Sequence, residues 1–343
     1  MTGRRYPAVM WITAFMLSSV TARAQEAAPC TTAPRVSGYI QIYYKSRVER
    51  SGDRVTEPDV FRFGRVKIQV DGKLSPAVSY VVEIDPRSPQ VEGLLRDCYL
   101  EWGFHPHQAL RAGQMKTPFG WENRTSTADL FTVNRTEVGE LFGRGLKLRD
   151  IGVGWFGHVP LGRGFRIEHE LTVTNGAGLS VQADDDRRKN VFGRLGFRSK
   201  RPSATVWLGV SGASGSVNEP IDPGPPPVPG LSIDFNRLGV DAELDTRRAL
   251  AVVEYARGEE NASLPDQGGT LDAWYVLVAG KTRWNGGPVV RYDVFDTDTH
   301  RWTIGVYHGL PGAPLRAIVT YEVMSEPDLR HDDRLLVWMQ VRF

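Results

Sequence analysis

Apolar and polar residues alternate along most of this chain, and the alternation divides into about sixteen segments. A period of two places successive side chains on opposite faces of a strand, so each segment predicts a strand with one apolar face. In the first half the segments fall at 36–48, 60–73, 78–85, 94–103, 109–116, 149–157, 165–174 and 190–198. The second half gives 204–211, 232–244, 249–257, 271–280, 288–295, 301–308, 315–325 and 334–343. Short connections rich in turn formers, such as Ser75-Pro76, His105-Pro106, Asp245-Thr246, Asn285-Gly286-Gly287 and Pro311-Gly312, join alternate pairs. The connections between them, 49–59, 117–148, 175–189, 212–231 and 258–270, are long and polar. No fixed-period repeat or second domain interrupts the series.

The two ends place this pattern in a membrane. Arg4 and Arg5 precede an uncharged, mostly apolar run from Ala8 to Val20, and Ala22-Arg23-Ala24 provides a small-residue cleavage site. Residues 1–24 therefore read as a signal peptide cleaved after Ala24, and 25–343 as the mature chain. The apolar run is too short to span a bilayer as a helix, which needs ~20 residues, and no later uncharged segment reaches that length. An exported chain without spanning helices can cross a membrane only as a closed barrel. At the other end Leu335, Val337, Met339, Val341 and Phe343 share one face, with Trp338, Gln340 and Arg342 on the other. A chain closing on an apolar aromatic in mid-strand resembles the carboxy-terminal signature of bacterial outer-membrane barrels, in which Phe343 would be read by the barrel-assembly machinery. The expected fold is all-β: a transmembrane antiparallel up-and-down β-barrel of about sixteen strands, with short periplasmic turns and long extracellular loops. Its expected place is the outer membrane of a Gram-negative cell, against lipid and lipopolysaccharide.

Composition sharpens this only in part. The 36 glycines, 9 Trp, 11 Tyr and 14 Phe suit tight turns and aromatic girdles. The net charge of +2 includes the three leader arginines, which leaves the mature chain at −1 and removes nucleic acid as a partner. The two cysteines, Cys30 and Cys98, are too few for a disulfide scaffold; whether they pair stays open, and Cys98 reads as a small lipid-facing residue.

A central block carries a family likeness. Leu94-Leu95-Arg96-Asp97-Cys98-Tyr99-Leu100-Glu101-Trp102 precedes Leu110-Arg111-Ala112-Gly113-Gln114-Met115-Lys116-Thr117-Pro118-Phe119-Gly120-Trp121-Glu122. This resembles the phosphate-selective porin O and P family. Further pieces follow in family order: Phe61 to Lys67, Val81 to Asp85, Thr174 to Gly178, Gly239 to Ala242, and Glu254-Tyr255. The resemblance implies a sixteen-stranded, trimeric porin whose third extracellular loop folds into the lumen. One departure bears on selectivity: where the family has paired arginines in the second strand, this chain has Gly64-Arg65, with Arg62 nearby.

Alternation assigns the faces. In the second strand Val66, Ile68 and Val70 should meet lipid while Arg65, Lys67, Gln69 and Asp71 face the lumen, because a lipid-face charge near the midplane costs ~2–4 kcal/mol. In the third strand Glu83 and Asp85 should point inward, and in the fifth Gln114 and Lys116, with Met115 outward. Arg96 takes lipid-facing parity near a strand end. The longest connection, 117–148, exceeds the ~12–15 residues usual for a plain loop and reads as the constriction. It carries Arg124, Arg135, Arg144 and Lys147 among Glu122, Asp129, Glu137 and Glu140. Arg62, Arg65, Lys67, Lys116, Arg135, Arg144 and Lys147 are therefore the expected pore-lining, anion-attracting residues.

The expected function is passive diffusion of small, mainly anionic, inorganic or organic solutes through an outer-membrane channel, assembled as a homotrimer. Phosphate or polyphosphate specificity does not follow, given Gly64 and the near-neutral charge. No catalytic residues, metal ligands or cofactor site are assigned, since His-Glu-x-x-His, Gly-x-Ser-x-Gly and phosphate-cradling glycine loops are missing from the sequence. Two other readings stand beside it. An outer-membrane barrel enzyme of lipase type would need a serine paired with a lipid-face histidine, for which His169 is best placed. An exported soluble β-sandwich binding polysaccharide would share the alternation without the membrane.

Overall fold

The alternating segments become strands that each hydrogen-bond to their neighbours in sequence and close into one barrel of sixteen. This is seen in a computed structural model, whose described residues are 33–49, 59–87, 91–136, 138–142, 149–180, 188–217, 233–262, 269–295, 299–325 and 332–343. The first eight strands are β1 (Arg35–Glu49), β2 (Val60–Lys73), β3 (Val78–Ile84), β4 (Leu95–His105), β5 (Gln108–Lys116), β6 (Arg149–Gly162), β7 (Phe165–Thr174) and β8 (Asn190–Lys200). They continue as β9 (Ala204–Val217), β10 (Ile233–Thr246), β11 (Ala249–Ala262), β12 (Gly269–Gly280), β13 (Gly286–Phe295), β14 (Thr299–His308), β15 (Leu315–Ser325) and β16 (Asp332–Arg342). Among the described residues, α1 (Val91–Leu94), α2 (Trp121–Arg124) and a π-helical turn (Val138–Phe142) lie between strands. Every expected segment is a strand.

Closure is made between the first and last strands. Their ladder runs from Tyr39 opposite Arg342 to Glu49 opposite Asp332. Beyond it the Gly38 amide donates to the Phe343 carbonyl at 2.9 Å and the Phe343 amide to that of Gly38 at 3.0 Å. With no open edge, the strands' backbone groups can pair within the sheet, as a hydrocarbon environment requires. No described helix is long and apolar enough to cross a membrane.

The faces are inverted relative to a soluble fold. On β16 Met339 is 56% exposed while the adjacent Gln340 is 1% exposed. The same apolar-out, polar-in order appears on β10, where Leu238 and Val240 are exposed and Arg237 and Asp241 buried. A polar interior and an apolar exterior band define a membrane barrel.

The ladder departs from strict alternation at informative places. Gln41 pairs Arg65 but Ile42 pairs Phe63, so Gly64 is an extra residue in β2. The bulge changes parity, and Arg62, opposite the inward Tyr43, joins Arg65 on the lumen side. A second irregularity between Val82 and Ile84 accompanies a correction to Arg96, expected on the lipid face. Its guanidinium lies 3.7 Å from Asp85, which is fully buried. Met115 is also not lipid-exposed: it is 1% exposed. It pairs with Asp150, whose carboxylate accepts from the Gly178 amide at 3.2 Å and also from Gly176, drawing the segment after β7 over this strand end. Cys98 lies in β4 between Val82 and Gln114; Cys30 is outside the described residues. Finally, β6 runs past Pro160 to Gly162, because the ladder is irregular there and Arg163 and Gly164 turn at positive φ, as tight hairpins need.

Candidate functional site: the 117–142 segment and the inward arginines

The segment after β5 begins where the chain can no longer pair. Pro118 has no N–H for a ladder, and Gly120 turns at φ 66°. A Cβ at Gly120 would stand 1.9 Å from the Glu254 carboxylate, so only glycine permits the approach. Glu254, buried on the inward face of β11, accepts from the Trp121 amide at 3.1 Å, the Glu122 amide at 3.0 Å and the Tyr275 hydroxyl at 2.9 Å. Ser211 of β9 accepts from the Gly120 amide at 3.1 Å.

Further along, irregular backbone needs donors for its carbonyls, and arginines on the inward faces supply them. Arg316 of β15 donates to the carbonyls of Ala128, Leu130 (2.8 Å) and Gly309 (3.0 Å). Arg291 of β13 donates to Thr132 Oγ1 at 2.8 Å and the Asn134 carbonyl at 2.7 Å. Arg301 of β14 reaches the Arg135 carbonyl at 2.9 Å, and Arg237 of β10 the Phe142 carbonyl at 3.1 Å. Both Arg291 and Arg301 are held by Asp293. Across the barrel, Arg124 pairs with Glu170 of β7. Apolar contacts complete the packing: Phe119, Phe131 and Phe142 join a buried cluster with Phe192, Phe235, Tyr275 and Trp338 of the wall.

The seven expected cations separate into groups. Arg62 and Arg65 share the lumen side of β2; Arg62 is exposed, with its guanidinium 5.2 Å from the Tyr43 ring, and makes no ion pair with a described residue. Lys67 is buried and paired with Glu83, which also takes Arg149 at 3.2 Å. Lys116 donates to the Asn123 carbonyl at 3.3 Å. Arg135 is turned inward on its own segment, donating to the carbonyls of Glu122 and Thr125 (2.9 Å). Glu122 in turn accepts from the Thr136 amide and hydroxyl at 2.9 and 2.8 Å, so this pair of residues braces the loop. Arg144 and Lys147 lie outside the described residues, as does the Pro-rich stretch 219–230. Sequence reading missed Arg237, Arg291, Arg301 and Arg316; inward parity on strands in the second half was the available clue. For the lipase alternative, His169 Nε2 lies 2.8 Å from Gln108 Oε1 and its ring 4.5 Å from Trp155, with no serine as partner among the described residues.

A closed antiparallel barrel of sixteen strands, apolar outside and charged within, is the architecture of outer-membrane porins. Residues 36–188 match the model of the phosphate-selective porin O and P family, which covers β1 to the threshold of β8. No curated protein matches the chain. Among solved structures it is similar to the anion-selective porin from Comamonas acidovorans, at 12% identity and a TM-score of 0.63, covering 91% of this chain and 99% of that one. The in-vitro folded trimer form of OmpT, an outer membrane protein of Vibrio cholerae, gives the same identity, TM-score and coverage. Salmonella typhi OmpF in complex with daunomycin follows at 12% identity and TM-score 0.61, covering 90% and 97%. At such identities these likenesses concern the fold.

Proposed function

We propose that this protein is a passive diffusion channel of the outer membrane with a moderate preference for small anions, narrowed by the 117–142 segment folded into its lumen. The observation that carries the reading is the row of inward arginines gripping that segment's carbonyls from β10, β13, β14 and β15. A connection held by strands around the barrel can narrow a pore without closing a sheet of its own. Anion preference rests on Arg62 and Arg65, which the Gly64 bulge brings to one side. The bulge offsets the loss of an arginine at position 64. Several wall cations sit beside a carboxylate: Lys67 by Glu83, Arg149 by Asp97, Arg111 by Glu101 and Arg194 by Asp241. Two charges ~4 Å apart interact by ~1 kcal/mol in water and ~4 kcal/mol at an effective dielectric of ~20, so a wall cation weighs most where water is scarce. A homotrimer surrounded by lipid and lipopolysaccharide fits the reading, supported by the trimer form of the similar OmpT fold.

The test is the reversal potential across a planar bilayer under a potassium chloride gradient. Wild type is expected to favour chloride, and Arg62→Glu with Arg65→Glu to shift the potential toward potassium. An unchanged potential in the double variant would remove β2 from the selectivity filter.

A further inference from the structure

A cavity of about 480 Å³ lies between the 117–142 segment and the short-turn ends of β8 to β12. Its wall is built on one transverse row. Arg198 of β8 pairs across the ladder with Trp207 of β9, and Trp207 with Glu243 of β10. Neighbouring strands stand ~4.8 Å apart, so a guanidinium and a carboxylate flank an indole at about 10 Å separation of their backbones. The Arg198 guanidinium sits 5.2 Å from the Trp207 ring centre, and that of Arg124 5.9 Å from the same ring. Trp121 closes the opposite side, its indole N–H donating to Glu243. The remaining charges alternate in sign: Lys281 pairs with Asp245, and Arg198 lies 3.3 Å from Glu168.

We propose that this cavity is a binding subsite for small aromatic zwitterions of amino-acid or dipeptide size. The proposal rests on the channel reading, since the solute must reach the cavity through the lumen. Its volume falls among those of small-molecule sites, which range over ~300–1,000 Å³. Arg198 offers charge-assisted donors to a carboxylate, Glu243 accepts from an ammonium, and the half-buried Trp121 supplies a flat apolar face, while Trp207, 3% exposed, backs the guanidinium groups from within the wall. A multiply charged inorganic anion would meet Arg198, Arg124 and Lys281 but also as many carboxylates, Glu243, Asp245 and Asp129, which repel it. A neutral sugar would leave both charged ends unused.

Block of the potassium chloride current by added solute tests this, with phenylalanine, glucose and inorganic phosphate as probes on wild type and variants. Phenylalanine should reduce the current saturably at concentrations where glucose and phosphate do not. Arg198→Gln and Glu243→Gln should each weaken the block, expressed against that variant's own solute-free current, about three- to ten-fold, as expected for loss of one weak charged contact. Arg198→Lys and Glu243→Asp should retain most of it. Equal block by glucose, block by phosphate alone, or block untouched in both glutamine variants would overturn the subsite and leave the channel standing. A folded protein that carries no current would overturn the channel reading and the subsite together.

Discussion

Glu254 shows how much one residue can organise. Its carboxylate receives two consecutive amides of the loop and one tyrosine hydroxyl, all inside the barrel. Losing an acceptor for a buried donor costs ~1–3 kcal/mol. Glu254→Gln is therefore expected to loosen residues 120–123 without unfolding the barrel, read as faster amide exchange at Trp121 and Glu122 and noisier single-channel current. Unchanged exchange there would show that the apolar contacts of Phe119 alone hold the turn. Nothing in the sequence marked Glu254 for this role beyond its inward parity. Arg135 teaches the converse: its charge and its place in the loop suggested the pore wall, yet its donors go to backbone carbonyls of the same segment. Such partners leave no trace in residue type or spacing.

At the scale of elements, strands were legible because a period of two is forced on any strand with lipid on one side. The sixteen segments needed only boundary changes, as at β6, expected over 149–157 and found over Arg149–Gly162. Bulges were not legible, since one extra residue reverses parity beyond it without altering composition; Arg62 gained its lumen position that way. The loop's fastening was equally hidden, although its length and its Pro118-Phe119-Gly120 start were visible. Arg316 is fully buried and gives three donors to carbonyls, two of them in the loop. Arg316→Met should keep the apolar stem while freeing Ala128 and Leu130, and single-channel conductance should rise as the segment leaves the wall. A conductance equal to wild type would mean that Asp129, held by Arg342 at 2.7 Å and Gly312 at 3.0 Å, suffices as the fastening.

The whole molecule needs lipid around its apolar band and water within. Val337 lies near the middle of β16 on the exposed face. Val337→Arg should destabilise the folded barrel by ~2–4 kcal/mol, measured as a lower urea midpoint in lipid vesicles. A midpoint equal to wild type would place that face against something other than hydrocarbon. Family likeness was strongest in the first half of the chain, through the Gly113 to Gly120 block, and that is also where the family match lies. The second half was read mainly from alternation, with Gly239 to Ala242 and Glu254-Tyr255 as short family pieces, and this gave its strands but not the arginines that receive the loop. The most direct measurement of the central claim is single-channel recording of the purified, folded protein in planar bilayers. Stepwise insertions with a steady conductance are expected, with a reversal potential on the chloride side and larger steps for Arg316→Met. Folded protein that inserts but passes no ions, or steps with no preference that Arg62 and Arg65 can alter, would contradict it.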